Sequence, residues 1–171
     1  MKDIQLAVAG DGGTDNSIII RLYDSPIENS QSLDEIESVS AIIPDGDNSY
    51  FGVVVSCYDF EGKIIENDIN NLDLECLTYN FTYQRWFSSH TEDEIKISNK
   101  PILVSSTNGQ YIYTTSDFYH LHALTANSIN YLKFSCQING INVEKIIPLP
   151  FRSDINYKYM GPDRIRYNYE G

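Results

Sequence analysis

The sequence lacks any uninterrupted apolar run near the length that crosses a membrane. A spanning helix needs about 20 consecutive apolar residues, and no stretch of the chain approaches that length. The opening residues, Met-Lys-Asp-Ile-Gln-Leu, have neither the basic start nor the apolar stretch of a secretion signal. We therefore predict a protein that is made and kept in a cytoplasm and has no membrane partner.

Basic residues are also scarce. Lysine and arginine total 12 against 24 aspartates and glutamates, which gives a net charge of −12 and a pI near 4.5. The average field of such a chain repels nucleic acid and anionic lipid surfaces. The composition therefore favours basic proteins, cations or uncharged surfaces as partners and predicts no nucleic-acid partner.

Cysteine occurs only three times, at Cys57, Cys76 and Cys136. An odd number leaves at least one thiol unpaired. In a reducing compartment disulfides are rare, and free cysteines behave as small buried hydrophobic residues. We predict three buried thiols.

Sequence motifs for catalysis or cofactor binding are missing. The chain has no Gly-x-Ser-x-Gly nucleophile turn, no phosphate-binding loop and no dinucleotide fingerprint. His120 and His122 are spaced for one face of a strand, near Asp117, but a zinc site needs further ligands and His90 is the only other histidine. The acidic residues cluster in polar loops, as solvated faces do. We predict no enzyme activity, no cofactor and no metal.

Strand-forming residues are plentiful. Aromatic residues make up 12% of the chain, with 13 tyrosines, and isoleucine, valine and tyrosine favour pleated surfaces. Apolar residues alternate over 131–138 and 141–147, and Asn139-Gly140 between them is the turn dipeptide of a two-residue hairpin. Strands are also predicted at 2–9 and 17–23. The fold class is therefore all-β.

Two segments allow alternatives. Residues 32–35, Ser-Leu-Asp-Glu, have the form of a helix capping box, so residues 32–39 are either a helix of at most two turns or an acidic surface loop. The run around Cys57, Gly62 and 63–65 echoes the run around Cys136 and Gly140. The echo indicates either an internal duplication or shared hairpin chemistry.

Cys76, Trp86 and Cys136 stand ten and then fifty residues apart. This order resembles the immunoglobulin fold, in which two cysteines face each other across two sheets and a tryptophan packs on them. The resemblance covers residues 72–150 and implies that Cys76 and Cys136 lie in opposite sheets with Trp86 between them. Phe134 departs from the family, which has tyrosine at that position. A jelly roll or another two-sheet arrangement is the alternative.

The same region also resembles the Ig-like domains appended to capsid and tail proteins of tailed bacteriophages. The shared features are the aromatic run Tyr-Gln-Arg-Trp-Phe at 83–87 and the strand-and-turn series that ends at Cys136. The bias toward asparagine, isoleucine and tyrosine, with few arginines, is also similar to virion proteins of AT-rich phages. The resemblance implies a structural protein of a virion that is assembled in the host cytoplasm.

The C-terminal residues differ in charge from the rest. Residues 151–171 contain four basic and three acidic residues, a net of +1, so the other 150 residues carry −13. Alternation at 165–169 is typical of a strand, and a strand added to another subunit binds through backbone hydrogen bonds and aromatic anchors. The candidate partner-binding residues are Arg152, Tyr157, Tyr159, Arg164, Arg166, Tyr167 and Tyr169. The arm either pairs with a neighbouring subunit or folds back onto its own chain.

These observations predict three regions. They are an N-terminal β domain at 1–71, an Ig-like sandwich at 72–150 and an extended C-terminal arm at 151–171. The predicted function is that of a non-enzymatic structural protein of a phage-like virion, in capsid decoration or as a tail or connector component. Its predicted partners are other virion subunits, including copies of itself. The alternative is a module that recognises carbohydrate or a host surface through Trp86 and exposed tyrosines.

Overall fold

The described residues form an all-β sandwich of two four-stranded antiparallel sheets, as the composition predicts. A computed structural model describes residues 17–28, 32–42, 50–91, 97–115 and 127–151. The strands are β1 (Ser17–Tyr23), β2 (Phe51–Tyr58), β3 (Ile69–Asn80), β4 (Arg85–Ser88), β5 (Ile102–Thr107), β6 (Gln110–Thr115), β7 (Ser128–Ile138) and β8 (Ile141–Pro148).

The strand orders define the two edges of the sandwich. The first sheet has the order β1-β2-β6-β5, and the second sheet has the order β4-β3-β7-β8. Strand β1 contacts β8, so these two strands share one edge. Strands β5 and β4 therefore lie toward the opposite edge.

The β7–β8 hairpin forms in the predicted register. Ile138 pairs with Ile141, and the two residues between them have positive φ, 53° at Asn139 and 82° at Gly140. Two successive positive φ values match the right-handed twist of the flanking strands, which is why Asn-Gly suits this position. The alternation then places Leu132 and Phe134 in the core.

The core lies between the two sheets. Strands β3, β6 and β7 bury every second side chain over much of their length because successive residues point to opposite faces. The main cluster includes Ile18, Leu22, Phe51, Val53, Val55, Cys57, Leu74, Cys76, Phe87, Tyr111, Tyr113, Leu132, Phe134, Cys136, Ile138 and Val143. All three cysteines are free and buried, which confirms the prediction of buried thiols.

The outer face of the first sheet is also covered. Tyr23, Ile27 and Val54 form a second buried cluster, against which Leu33 and Ile36 pack. The segment with the capping-box sequence forms only a 3-10 turn at Leu33–Glu35, and Ser32 makes no side-chain capping bond. Strand β2 is buried on both faces because this loop covers the side that points away from the core.

The predicted boundary between residues 71 and 72 is not a domain boundary in the described fold. It falls inside β3 (Ile69–Asn80), and β2 from the first predicted region pairs with β6 from the second. Val53 and Phe134 contribute to the same core. The two predicted regions share one sandwich because β6 supplies backbone hydrogen bonds to β2, and the second sheet covers the inner face of β2.

The immunoglobulin-like placement of the cysteines and the tryptophan is also wrong. Cys76 on β3 and Cys136 on β7 belong to neighbouring strands of the second sheet. Cys76 pairs with Leu132, four residues from Cys136, a separation of roughly 13 Å along the strand. Trp86 lies on the outer face, and Phe87 occupies the core instead.

The similarity in sequence between the runs around Cys57 and Cys136 is only partly matched by a similarity in structure. After Cys57 the chain turns through Gly62 and returns at a single bridge between Tyr58 and Ile64, whereas the second run forms the full β8 strand. Several predictions lie outside the described residues. They are the strand at 2–9, the pair His120 and His122 with Asp117, and the arm beyond Phe151. Phe151 itself is described and bridges to Ile42.

Candidate functional site

The outer face of the second sheet divides into an aromatic half and a polar half. Alternation on β3 and β7 directs Tyr79 and Tyr131 outward at one end, and Asp73 and Glu75 outward at the other. Exposed apolar surface of this kind marks interaction sites in soluble proteins. This face is therefore the candidate functional site.

The aromatic patch consists of Tyr79, Phe81, Trp86 and Tyr131. The ring centroids of Tyr79 and Phe81 lie 5.0 Å apart, those of Tyr79 and Trp86 5.2 Å, and those of Trp86 and Tyr131 6.0 Å. Phe81 is 51% exposed and Trp86 54% exposed. Edge-to-face contacts hold the rings in place while leaving a large part of their surface open to a partner.

A tight turn between β3 and β4 positions the patch. The side-chain oxygen of Asn80 accepts hydrogen bonds from the backbone N–H groups of Thr82 and Tyr83, at 2.9 and 3.1 Å. The N–H of Phe81 donates to the carbonyl of Asn127 at 2.7 Å. An asparagine side chain suits such a turn because it can accept from backbone groups two and three residues on. The turn therefore presents Phe81 and Trp86 without a flexible loop.

The polar half is held by side-chain pairs. The hydroxyl of Ser88 donates to Glu75 at 2.6 Å and accepts the backbone N–H of His90 at 2.9 Å. Lys133 on β7 lies 3.7 Å from Glu144 on β8. Exposed ion pairs of this length contribute little to stability. They do keep the charges of this half engaged with each other, beside the uncharged aromatic patch.

A serine, a histidine and an aspartate meet next to these pairs. One ring nitrogen of His90, Nε2, lies 2.8 Å from Asp73, and the other, Nδ1, lies 2.9 Å from the Ser89 hydroxyl. The order of groups resembles that of a hydrolytic triad, which needs an accessible hydroxyl. Ser89 is only 1% exposed, and its oxygen accepts the backbone N–H of Cys76 at 3.0 Å. This hydroxyl joins β4 to β3 and does not face a substrate.

A groove of about 390 Å³ lies at the edge formed by β1 and β8. Its lining is mostly apolar, with Ile20, Val39 and Ile147 among its residues, and among the described lining residues Arg21 is the one titratable side chain. General acid–base catalysis requires groups that exchange protons near neutral pH. The described part of the groove therefore supplies a permanently charged guanidinium and no acid–base pair.

The seven arm residues predicted to bind a partner lie outside the described residues, so the structure does not place them. Trp86 was predicted in two roles, as a core residue and as an exposed binding residue, and its exposure agrees with the second. The grouping of Tyr79, Phe81 and Tyr131 around it was missed. One signal in the sequence indicated the exposure of Trp86 or Phe87. The two residues are adjacent, and successive side chains of a strand point to opposite faces, so only one of them can face the core of the sandwich.

Comparisons with known proteins returned no match. Neither a protein-family model, nor a curated protein, nor a solved structure matches this chain significantly. Across the described ranges, no helix is long and apolar enough to cross a bilayer. Within the same ranges, no three histidine, cysteine or acidic side chains group closely enough to hold a metal ion. The exposed aromatic patch on the outer face of the second sheet is the feature of the described chain that points to a function.

Proposed function

We propose that this chain is a non-enzymatic structural protein of a phage-like virion that joins other subunits through protein–protein contacts. The aromatic patch is the observation that supports this proposal. The central parts of protein interfaces are enriched in tryptophan, tyrosine, phenylalanine and arginine, and depleted in lysine and acidic residues. The patch contains the first three of these types.

The rigidity of the patch also favours a protein partner. Immobilising side chains on binding costs conformational entropy, and rings already held in place avoid much of that cost. Trp86 is fixed between Tyr79 and Tyr131 before any partner arrives. The bias toward asparagine, isoleucine and tyrosine, which is similar to that of virion proteins of AT-rich phages, favours a virion subunit as that partner.

The test is incorporation into particles. The wild-type chain and a Trp86→Ala, Tyr131→Ala double variant are produced in cells that make the particles, and the particles are separated on a density gradient and imaged by electron microscopy. We expect the wild type to travel with the particles and the double variant to remain at the top of the gradient. Phe60→Ala is the matched control because Phe60 is 74% exposed in the turn after β2, outside the patch.

Two results would contradict the proposal. One is a wild-type chain that never travels with particles. The other is a double variant that folds normally and is incorporated as well as the wild type.

Carbohydrate recognition is the second candidate function, and the exposure of Trp86 favours it. A fixed, half-open aromatic ring next to polar groups is a surface on which a sugar ring can stack, and Glu75 and Lys133 on the same face could accept or donate hydrogen bonds. This function predicts saturable binding of an oligosaccharide by the isolated monomer, lost in Trp86→Ala. A glycan panel that gives no saturable binding removes this candidate and leaves the first.

A further inference from the structure

Strand β5 (Ile102–Thr107) is an exposed edge of the first sheet. One side of β5 pairs with β6, and no strand in the described part of the chain pairs with its other side. Ile102 is 63% exposed, and Leu103 and Val104 are exposed as well. An edge strand presents a row of unpaired backbone N–H and C=O groups, and exposed apolar residues on it favour the addition of another strand.

Each of the other three edges of the described sheets has a feature that discourages the addition of a strand. On β1, the carbonyl of Leu22 accepts the N–H of Val39. Strand β8 places the charged Glu144 on its outer side, and β4 has only four residues and carries Arg85. Proteins commonly protect edges with charged residues or short strands. Strand β5 contains no charged residue, so of these edges it is the best suited to accept a strand.

The C-terminal segment has the composition of a donor strand. Residues 165–169 alternate Ile165, Tyr167 and Tyr169 with Arg166 and Asn168. Isoleucine and tyrosine favour strands and pair well across them. Strand β5 has six residues, so a donor of about five residues is long enough to pair along most of it. The segment 151–171 carries +1 and the rest of the chain −13, so the acidic body attracts it.

The end of the described chain lies far from β5. Phe151 bridges to Ile42, and Ile42 donates its N–H to the carbonyl of Pro150, next to the groove at the β1/β8 edge. Strand β5 lies toward the opposite edge of the sandwich. Residues 152–164 can span up to about 43 Å when extended, which is enough to reach a neighbouring copy.

We propose that residues 165–169 of one copy add as a strand to the free edge of β5 in the next copy. Because donor exit and acceptor lie at opposite edges, the contact is head-to-tail, and repetition builds a ring or a filament. This inference deepens the proposed function, on which it rests, by naming the surfaces through which copies of this chain join each other. The aromatic patch stays free for a different subunit.

The test uses two full-length variants that each disable one side of the contact. In the acceptor variant, Ile102→Lys and Val104→Lys place charges on the β5 edge. In the donor variant, Ile165→Pro and Tyr167→Pro remove backbone N–H groups and break the strand. Analytical ultracentrifugation measures the size of each chain alone and of an equimolar mixture.

We expect the wild type to form larger species as its concentration rises, and each variant alone to remain monomeric. The equimolar mixture should give a 1:1 pair and nothing larger, because the acceptor variant still has a donor and the donor variant still has an acceptor. Phe60→Lys, a matched exposed position away from β5, should associate like the wild type. Matching thermal unfolding curves would show that all chains are folded.

Several outcomes would overturn the inference. One is a wild type that stays monomeric, which is the result expected if the arm pairs with β5 of its own chain. The others are a donor variant that still self-associates and an equimolar mixture that stays monomeric. The result of this self-association test can be told apart from the result of the particle-incorporation test of the proposed function. Trp86→Ala should leave this self-association unchanged, and failure here with normal incorporation into particles would leave the proposed function intact.

Discussion

Cys57 on β2 and Cys136 on β7 interact across the core, from one sheet of the sandwich to the other. The resemblance to the immunoglobulin fold assigned the cross-sheet position to Cys76, which instead lies in the same sheet as Cys136. The proximity of the Cys136 thiol, together with burial, raises the pKa of Cys57 far above its usual value. Burial raises the pKa of Cys76 to about 12.

We predict that the folded protein resists thiol reagents. Thiolates, not thiols, are the reactive form, and all three cysteines are buried with Cys57 and Cys76 held protonated. Near pH 8 a thiol reagent should label almost no Cys57 or Cys76 in the native protein, and all three cysteines in denaturant. Mass spectrometry after alkylation measures the labelling. Rapid labelling of Cys57 or Cys76 in the native protein would contradict the packing described for them.

Alkaline pH should destabilise the protein through Cys76. The pKa of this thiol is about 12 in the folded state, above its ordinary value of 9.0, so below pH 9 both states hold the proton. Between pH 9 and 12 only the unfolded state releases it, so the free energy of unfolding falls as pH rises, by up to about 1.4 kcal/mol per pH unit for this group. Urea titrations from pH 8 to 11 measure the slope.

Cys76→Ala is the control for that measurement. The variant should be less stable than the wild type at pH 8 because it leaves a small cavity. Its slope above pH 9 should nevertheless be shallower, since one buried ionisable group is gone. Equal slopes for the two proteins would show that Cys76 does not contribute to the alkaline loss.

Two aromatic residues of the second sheet should respond very differently to truncation. Phe134→Ala removes a fully buried ring that contacts Tyr113 in the opposite sheet, and should cost about 3–5 kcal/mol of unfolding free energy. Trp86→Ala removes a half-exposed ring from the outer face and should cost only about 1 kcal/mol, from the lost contacts with Tyr79 and Tyr131. Chemical denaturation measures both. A large loss for Trp86→Ala would indicate that Trp86 is a core residue after all.

Gly140→Ala should weaken the β7–β8 hairpin through the backbone alone. Gly140 has φ +82°, and a Cβ added there meets no atom within 4 Å, so steric crowding by neighbours plays no part. An alanine in this conformation costs about 1–2 kcal/mol. Gly140→Asn is the matched control and should cost less, because asparagine tolerates positive φ. Thermal unfolding compares the three proteins, and equal losses for both variants would refute the backbone explanation.

Local patterns predicted the parts of the fold that depend on neighbouring residues. The Asn139-Gly140 turn and the alternation of β7 and β8 were predicted correctly because turn conformation and strand period are properties of a few consecutive residues. The capping-box sequence at 32–35 is a case in which the local pattern did not predict the structure. There the local signal for a helix yielded to the tertiary position of Leu33 and Ile36, which pack on the outer face of the first sheet.

The aromatic patch on the outer face of the second sheet was likewise predicted only in part. Trp86 was identified from its sequence context, but its three aromatic neighbours were not, because Tyr131 is distant in the chain and reaches Trp86 only when β7 pairs with β3 and β3 pairs with β4. The His90, Ser89 and Asp73 arrangement was missed for the same reason. Adjacent residues of a sheet come from strands whose separation along the chain carries no local signature.

The sequence by itself determined the class of the protein. Its strand-forming composition and its alternating runs specify pleated strands with one buried face, since each of these properties acts within a single segment. Only the tertiary structure decided which strands share a sheet, that Cys57 and not Cys76 faces Cys136, and that Trp86 points outward while Phe87 fills the core. Those choices depend on burying apolar surface from distant segments together, a free energy that no single segment possesses.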